Sequence, residues 1–163
     1  MLTHAVEFRG LGVVVDADAT RGKYVMVDAD SHWCTCAYCR NLRPQLPGIL
    51  GDEIRELLRQ LGVDSLKPSE AVHYGLNNDG GNLYSVVYHF VGQLDPSKPM
   101  REIAGQQGGP GFLMGPVDLP DKRSLRFSSA YFPHNKVFDG PGHPHAEIYI
   151  DDVPWVIEPL SAS

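Results

Sequence analysis

The strongest constraint on the fold is a long run, residues 83–94, in which both alternating rows of side chains are largely apolar. One row holds Tyr84, Val86, Tyr88 and Phe90, and the other holds Leu83, Ser85, Val87, His89 and Val91. A strand that buries both of its faces lies inside a sheet, so the run predicts a central strand. The turn sequence at 77–82 separates it from a second strand-forming run at 70–76, and together they predict a β-hairpin.

One amphipathic helix is predicted after the cysteine-containing region of the chain. Its apolar residues recur at helical spacing and charged residues fill the other positions; the apolar set is Leu50, Ile54, Leu57, Leu58 and Leu61. Gly62 follows as a left-handed stop, and Pro47 suits the first turn, where its missing N–H is not needed. We expect this helix to cover one face of the sheet.

Further short strands are predicted at 12–16, 23–27, 123–132 and 147–150, with the last continuing towards 155–157. The chain has 17 Gly and 13 Pro in 163 residues, which indicates many turns and few long helices. The glycine- and proline-rich segments 104–116 and 139–144 are predicted to be exposed loops. The expected fold is a single α+β domain over residues 1–163, with a mainly antiparallel sheet of about six strands and one amphipathic helix packed on it.

The charge balance argues against two classes of binding protein. Lys and Arg total 14 against 20 Asp and Glu, a net charge of −6, which disfavours a nucleic-acid binder or a binder of anionic membranes. No apolar run approaches the roughly 20 residues of a membrane-spanning helix. The first residues carry neither a basic start nor the apolar core of a signal peptide. We therefore expect a soluble, cytoplasmic protein of bacterial type.

The most specific chemical feature is a cluster of all three cysteines within six residues, Cys34-Thr-Cys36-Ala-Tyr-Cys39, directly after His32 and Trp33. Three cysteines cannot all pair within one chain, and a reducing compartment disfavours disulfides. Thiolates are soft donors that suit Zn²⁺, which takes four sulfur or nitrogen ligands in a tetrahedron. The spacing Cys36-x2-Cys39 allows two sulfurs to bind one ion across a tight turn.

This pattern leads to the hypothesis of a structural zinc ion held by Cys34, Cys36 and Cys39. The remaining ligand would be His32 in the same segment or His89 on the central strand, with His73 as a weaker candidate. The ion would fix an irregular connection in a module that binds an unidentified protein or small-molecule partner. The alternative without a metal is a set of reduced, partly buried thiols.

The same segment resembles the thioredoxin pattern over some twenty residues. An apolar run at 24–27 is followed by Trp33 and by Cys36-Ala-Tyr-Cys39-Arg-Asn-Leu-Arg-Pro44, which matches a strand, a tryptophan, a C-x2-C pair, a basic residue and a proline. The resemblance implies a thiol–disulfide oxidoreductase. Cys36 would be the nucleophile, activated at a helix N-terminus, and Cys39 would be the resolving thiol.

A second resemblance covers more of the chain. The order Cys36-x2-Cys39-x-Asn41, Leu61-Gly-Val-Asp64, Tyr88-His-Phe-Val-Gly92 and Val153-Pro-Trp155 is similar to that of a group of small bacterial proteins of uncharacterised activity. The resemblance implies a stand-alone cytoplasmic domain. It singles out Cys36, Cys39 and Asn41 as the notable positions of the cysteine segment.

A histidine-rich stretch offers another candidate site. His143, His145 and Glu147 occupy alternate positions, which share one face of a strand, and two histidines with a carboxylate can hold a non-haem iron ion. The stretch superficially resembles the H-x-H of cupins, and His134 is a further candidate for the same region. The alternative to this iron-dependent or manganese-dependent enzyme is a surface loop that leads into a strand.

Overall fold

The computed structural model describes residues 2–28, 33–104, 111–130, 136–138 and 143–156, which form helices and two antiparallel sheets. The strands are β1 (His4–Phe8), β2 (Leu11–Val15), β3 (Glu70–Leu76), β4 (Asn82–His89), β5 (Gly92–Leu94), β6 (Arg101–Ile103), β7 (Gly111–Leu119), β8 (Arg123–Ser128) and β9 (His145–Val153). The helices are α1 (Ala17–Met26), α2 (Ala37–Leu42) and α3 (Leu46–Leu61), with a 3₁₀ turn at Lys136–Phe138. The predicted α+β class, dominated by antiparallel sheet, is confirmed.

The larger sheet has six strands in the order β3-β4-β9-β8-β7-β6, and the smaller has the order β1-β2-β5. The hairpin predicted around 77–82 is β3 and β4, with Glu70 opposite Val87. Strand β4 also pairs with β9, so it is the internal strand that its two apolar rows predicted. The predicted run does not stay in one sheet, because after Phe90 the chain crosses over and β5 pairs with β2.

Helix α3 buries the predicted apolar face, and Pro47 lies in its first turn. Gly62 ends the helix at φ 79°, the left-handed conformation that glycine adopts without steric cost. The helix is not continuous: Gly51 has φ 74° and ψ 169°, which produces a kink. The guanidinium of Arg123, on β8, donates a hydrogen bond to the Leu50 carbonyl at this kink.

Helix α1 corrects the prediction of a strand at 23–27. Asp16 caps the helix by accepting a hydrogen bond from the Ala19 amide at 2.9 Å. At its other end the ring of Tyr24 packs 5.4 Å from that of Phe138, and the Tyr24 hydroxyl donates to the His89 carbonyl at 2.8 Å. These capping and tertiary contacts outweigh the strand preference of Tyr and Val.

One further prediction was wrong, and one helix was missed. Residues 111–116, which belong to the predicted loop 104–116, form the first part of strand β7 between β6 and β8, and the sequence did not predict the short helix α2. The other half of that predicted loop, 105–110, lies outside the described residues, as do 131–132 of the predicted strand 123–132 and most of the predicted loop 139–144. Strand β9 is longer than predicted and ends at Val153, while residues 154–156 are not in a strand.

The main core lies between one face of the six-stranded sheet, the smaller sheet, α1 and α3. Fully buried side chains from these elements include Val13, Leu50, Ile54, Leu58, Tyr88, Phe127 and Ile148. No helix in the described part of the chain has the length and the apolar character needed to cross a membrane. The described residues 33–42, which include α2, carry the cysteines and contribute Trp33, Cys39 and Leu42 to this core.

Candidate metal centre

The three cysteines converge in space. The Cys34 sulfur lies 2.7 Å from that of Cys36 and 3.0 Å from that of Cys39. All three thiols are free; Cys34 and Cys36 are exposed and Cys39 is buried. Among the described residues, these three form the only group of at least three Cys, His, Asp or Glu whose ligand atoms all lie within 4.8 Å of one another. The structure thus brings together the three sulfurs that the sequence singled out.

Helix α2 positions two of the three sulfurs. Cys36 is its N-cap residue, and the Cys39 amide donates to the Cys36 sulfur at 3.5 Å. Helix α2 therefore begins directly after Cys36 and includes Cys39. On the other side of Cys34, the buried ring of Trp33 lies under the Arg43 guanidinium, 5.7 Å from it, and anchors the start of the segment.

The surroundings of Cys34 and Cys39 shift the pKa values of their thiols in opposite directions. Hydrogen bonds with the Cys36 and Cys39 thiols lower the pKa of Cys34 from its ordinary value. Burial raises the pKa of Cys39 to about 12, and its hydrogen bond with Cys34 acts in the same direction. Because metals bind thiolates, an ion held by all three sulfurs must displace the proton of Cys39.

The cysteine sulfurs are soft donors that suit zinc, but the two separations from Cys34 are shorter than those of a tetrahedral zinc site. In a tetrahedral site with zinc–sulfur bonds of about 2.3 Å, neighbouring sulfurs lie about 3.8 Å apart. The two measured separations are shorter, so the sulfurs must move apart by about 1 Å to surround zinc in this way. Cys34 and Cys36 are exposed, so rotation of their side chains meets little obstruction from the core.

Two polar residues behind the cysteines hold α2 in place. The Tyr84 hydroxyl, from β4, donates to the carbonyl of Tyr38 at 2.9 Å. Asn41 is fully buried; its amide nitrogen donates to the Pro154 carbonyl at 3.0 Å, and its oxygen accepts from the Val156 amide at 2.7 Å. Asn41 thereby joins α2 to the segment 154–156 that follows β9.

An aromatic surface lies beside the cysteines. Tyr38, between Cys36 and Cys39 in the chain, stacks on the ring of His73 at 3.9 Å and lies 5.6 Å from Trp155. Tyr38 is 43% exposed and Trp155 is 41% exposed. Because Asn41 binds the backbone on both sides of Trp155, this exposed indole is held on an ordered segment.

The histidines proposed as the remaining ligand have different positions. His32 lies outside the described residues. The structure does not bring His89 to the cysteines: its Nδ1 lies 2.7 Å from the Ser69 hydroxyl oxygen, and its ring packs against Phe138 and His145. The reason is the alternation of β4, which points His89 to the opposite face from Tyr84. His73 is closer, through its stack on Tyr38, but its Nε2 lies 2.9 Å from the Asn82 side-chain oxygen.

The alternative site at 143–147 is not assembled by the described residues. His145 and Glu147 share a face of β9 as predicted, and both are buried. The Glu147 carboxylate is bound by the Arg126 guanidinium at 2.7 Å and is therefore engaged in an ion pair. His145 packs against His89, and His134 lies outside the described residues.

Tyr38, Tyr84 and Trp155 had no assigned role in the sequence, although they surround the candidate centre. Tyr84 and Trp155 come from parts of the chain distant from the cysteines, so no local pattern links them to the site, whereas Tyr38 lies between Cys36 and Cys39 in the segment that the sequence singled out. Asn41 was identified only through a resemblance, and the structure supplies its physical role. A scan of protein-family models, a search of curated proteins and a search of solved structures each found no match to this chain.

Proposed function

We propose that the cysteine cluster, Cys34, Cys36 and Cys39, binds a thiophilic metal ion, and that zinc is this ion. The observation that carries the proposal is the convergence of all three sulfurs on one point. A dithiol needs only two close sulfurs, whereas a metal centre uses all three. Soft thiolates select zinc over the hard cations that prefer oxygen ligands.

The role of the ion is structural. Helix α2 has six residues, fewer than a helix needs to be stable alone in water, so it depends on contacts that anchor it. Hydrogen bonds of Tyr84 and Asn41 anchor it to β4 and to the segment 154–156, and the ion anchors the cysteines at its start. Binding to the folded chain alone stabilises it by about 4 kcal/mol when free zinc is about 1,000 times its dissociation constant.

The biological role that fits this centre is that of a binding module in a reducing compartment such as the cytoplasm. Three free thiols fit such a compartment. Tyr38 and Trp155 give the module exposed aromatic contact area next to the ion, and aromatic residues are enriched where proteins bind partners. The partner would be a protein or a small molecule.

The test is a zinc titration of the reduced, metal-free chain followed by thermal unfolding. We expect about one zinc per chain and an increase in melting temperature on zinc addition. Cys39→Ser should abolish both effects, and Thr35→Ala, at an exposed position without a thiol, is the matched control. A wild-type chain that takes up no zinc, or whose melting temperature is unchanged by it, would show that the proposal is wrong.

A second candidate function, thiol–disulfide exchange by Cys36 and Cys39, is favoured by the position of Cys36 at the start of α2 and the burial of Cys39. The Cys36 thiolate would attack a substrate disulfide and release one substrate thiol. Cys39 would then attack the mixed disulfide and release the second. Two electrons and two protons pass to the substrate, and a Cys36–Cys39 disulfide remains.

One variant separates the two functions. Cys34→Ser removes a ligand from the metal centre and leaves the C-x2-C pair intact. If the chain is a zinc protein, this variant loses zinc affinity and neither form reduces a model disulfide. If it is an oxidoreductase, the wild-type chain reduces the disulfide and Cys34→Ser retains that activity.

A further inference from the structure

The distances between the sulfurs indicate which coordination geometry suits the cluster. Cys34 is the shared member, with its sulfur 2.7 Å and 3.0 Å from the other two. For bonds of about 2.3 Å, sulfurs lie about 3.8 Å apart in a tetrahedron, about 4.0 Å apart in a trigonal plane and about 3.3 Å apart when the bonds are at right angles. The two separations that involve Cys34 are nearest to the last of these values, and all three sulfurs lie within 4.8 Å of one another.

Right-angled bonding to three sulfurs is typical of a trivalent metalloid whose lone pair occupies the remaining position. Such an ion needs three donors and no fourth ligand. Among the described residues, three sulfurs are what the cluster offers within 4.8 Å. The number of sulfur donors, their softness and the distances between them therefore all favour a trivalent metalloid.

We infer that the cysteine cluster binds trivalent arsenic, presented as arsenous acid, through all three sulfurs; the inference rests on the proposed function that this cluster takes up a thiophilic ion. Three S–H bonds and three As–O bonds break, three As–S bonds form, and three water molecules leave. Arsenic stays trivalent, so no oxidant or reductant is needed. Cys34 and Cys36 are exposed and give the ligand access, and Cys39 closes the pyramid from the protein side.

The burial of the third sulfur distinguishes this site from a flexible tricysteine peptide. Cys39 is held by α2, which Tyr84 and Asn41 fix to β4 and to the segment after β9. Because these contacts fix the Cys39 sulfur before the ligand arrives, less chain entropy is lost on binding. The third As–S bond should therefore form in the folded protein and contribute to affinity.

The test is titration of the full-length reduced chain with sodium arsenite, followed by counting the thiols that remain reactive to an alkylating reagent. We expect one arsenic per chain, protection of all three thiols and a loss of at least tenfold in affinity in each of Cys34→Ser, Cys36→Ser and Cys39→Ser. The inference is wrong if two thiols are protected, or if any of these variants binds arsenite as tightly as the wild-type chain.

Two controls make the result decisive. Thr35→Ala should bind arsenite as the wild-type chain does, and circular dichroism of the exposed-site variants Cys34→Ser and Cys36→Ser shows that lost affinity is not lost folding. A zinc titration of the same samples separates the two proposals. Zinc binding without three-thiol arsenite binding overturns only the arsenic inference, and failure of both ions overturns both.

Discussion

Protonation of the buried His145 should make the fold sensitive to mild acid. His145 lies on β9 and is almost fully buried; burial lowers its pKa to about 4. The groups that face it are the ring of His89, 5.2 Å away, the Glu147 carboxylate, which raises its pKa, and the Arg126 guanidinium, which lowers it. In the unfolded chain the same imidazole has the ordinary pKa of about 6.5.

The sign and size of the effect follow from these two values. Between about pH 6.5 and pH 4 the unfolded chain binds a proton at this position and the folded chain does not, so stability falls as the pH is lowered through this window. The full difference of about 2.5 pKa units is worth about 3 kcal/mol, of which about 2 kcal/mol is already lost at about pH 5. Outside this window the residue contributes no further change.

The assay is urea unfolding of the wild-type chain and of His145→Gln at about pH 7.5 and about pH 5. With a urea dependence of about 2 kcal/mol per molar, the midpoint of the wild-type chain should fall by about 1 M more than that of the variant. His143, whose pKa burial also lowers, remains in both proteins and cancels in the comparison. His4→Gln, at an exposed position on β1, is the matched control. Equal losses in wild-type chain and His145→Gln would refute the reasoning.

Three further predictions concern stability, each measured by urea unfolding. Gly62→Ala should destabilise the fold by more than about 3 kcal/mol, because the φ of Gly62 is positive and the new Cβ would lie 2.2 Å from the Ala17 carbonyl oxygen. Its control is Gly22→Ala: a Cβ at this position on α1 meets open space, so the substitution should stabilise the fold by about 0.5–1 kcal/mol. Arg123→Met should cost about 1–3 kcal/mol by leaving the carbonyls at the α3 kink without their donor. Asn41→Ala should lower the free energy of unfolding by about 2 kcal/mol and shift the fluorescence emission of Trp155. An unchanged emission spectrum would contradict the role of Asn41 as the link to segment 154–156.

Much of the fold could be predicted because its signals are local. Alternation along 83–89 and the turn at 77–82 predicted the β3–β4 hairpin, and the spacing of leucines with Gly62 predicted α3 and its end. The strand predicted at 23–27 failed because the decisive contacts of Tyr24 are with Phe138 and with the His89 carbonyl, which are remote in sequence. The loop prediction failed at residues 111–116 for a different reason: their glycine and proline content is typical of a loop, but residues 111–113 pair with β6 and residues 113–114 pair with β8.

The sequence by itself determined that three soft sulfur donors lie within six residues, and so that they are near one another in any compact fold. Only the tertiary structure decided how closely they approach, which of them is buried, and that Tyr84 and Asn41 stand behind them. It also decided that His89 is not beside them. The physical reason is that the sulfurs are joined by a short stretch of backbone, whereas strand pairing and side-chain alternation set every contact between distant segments.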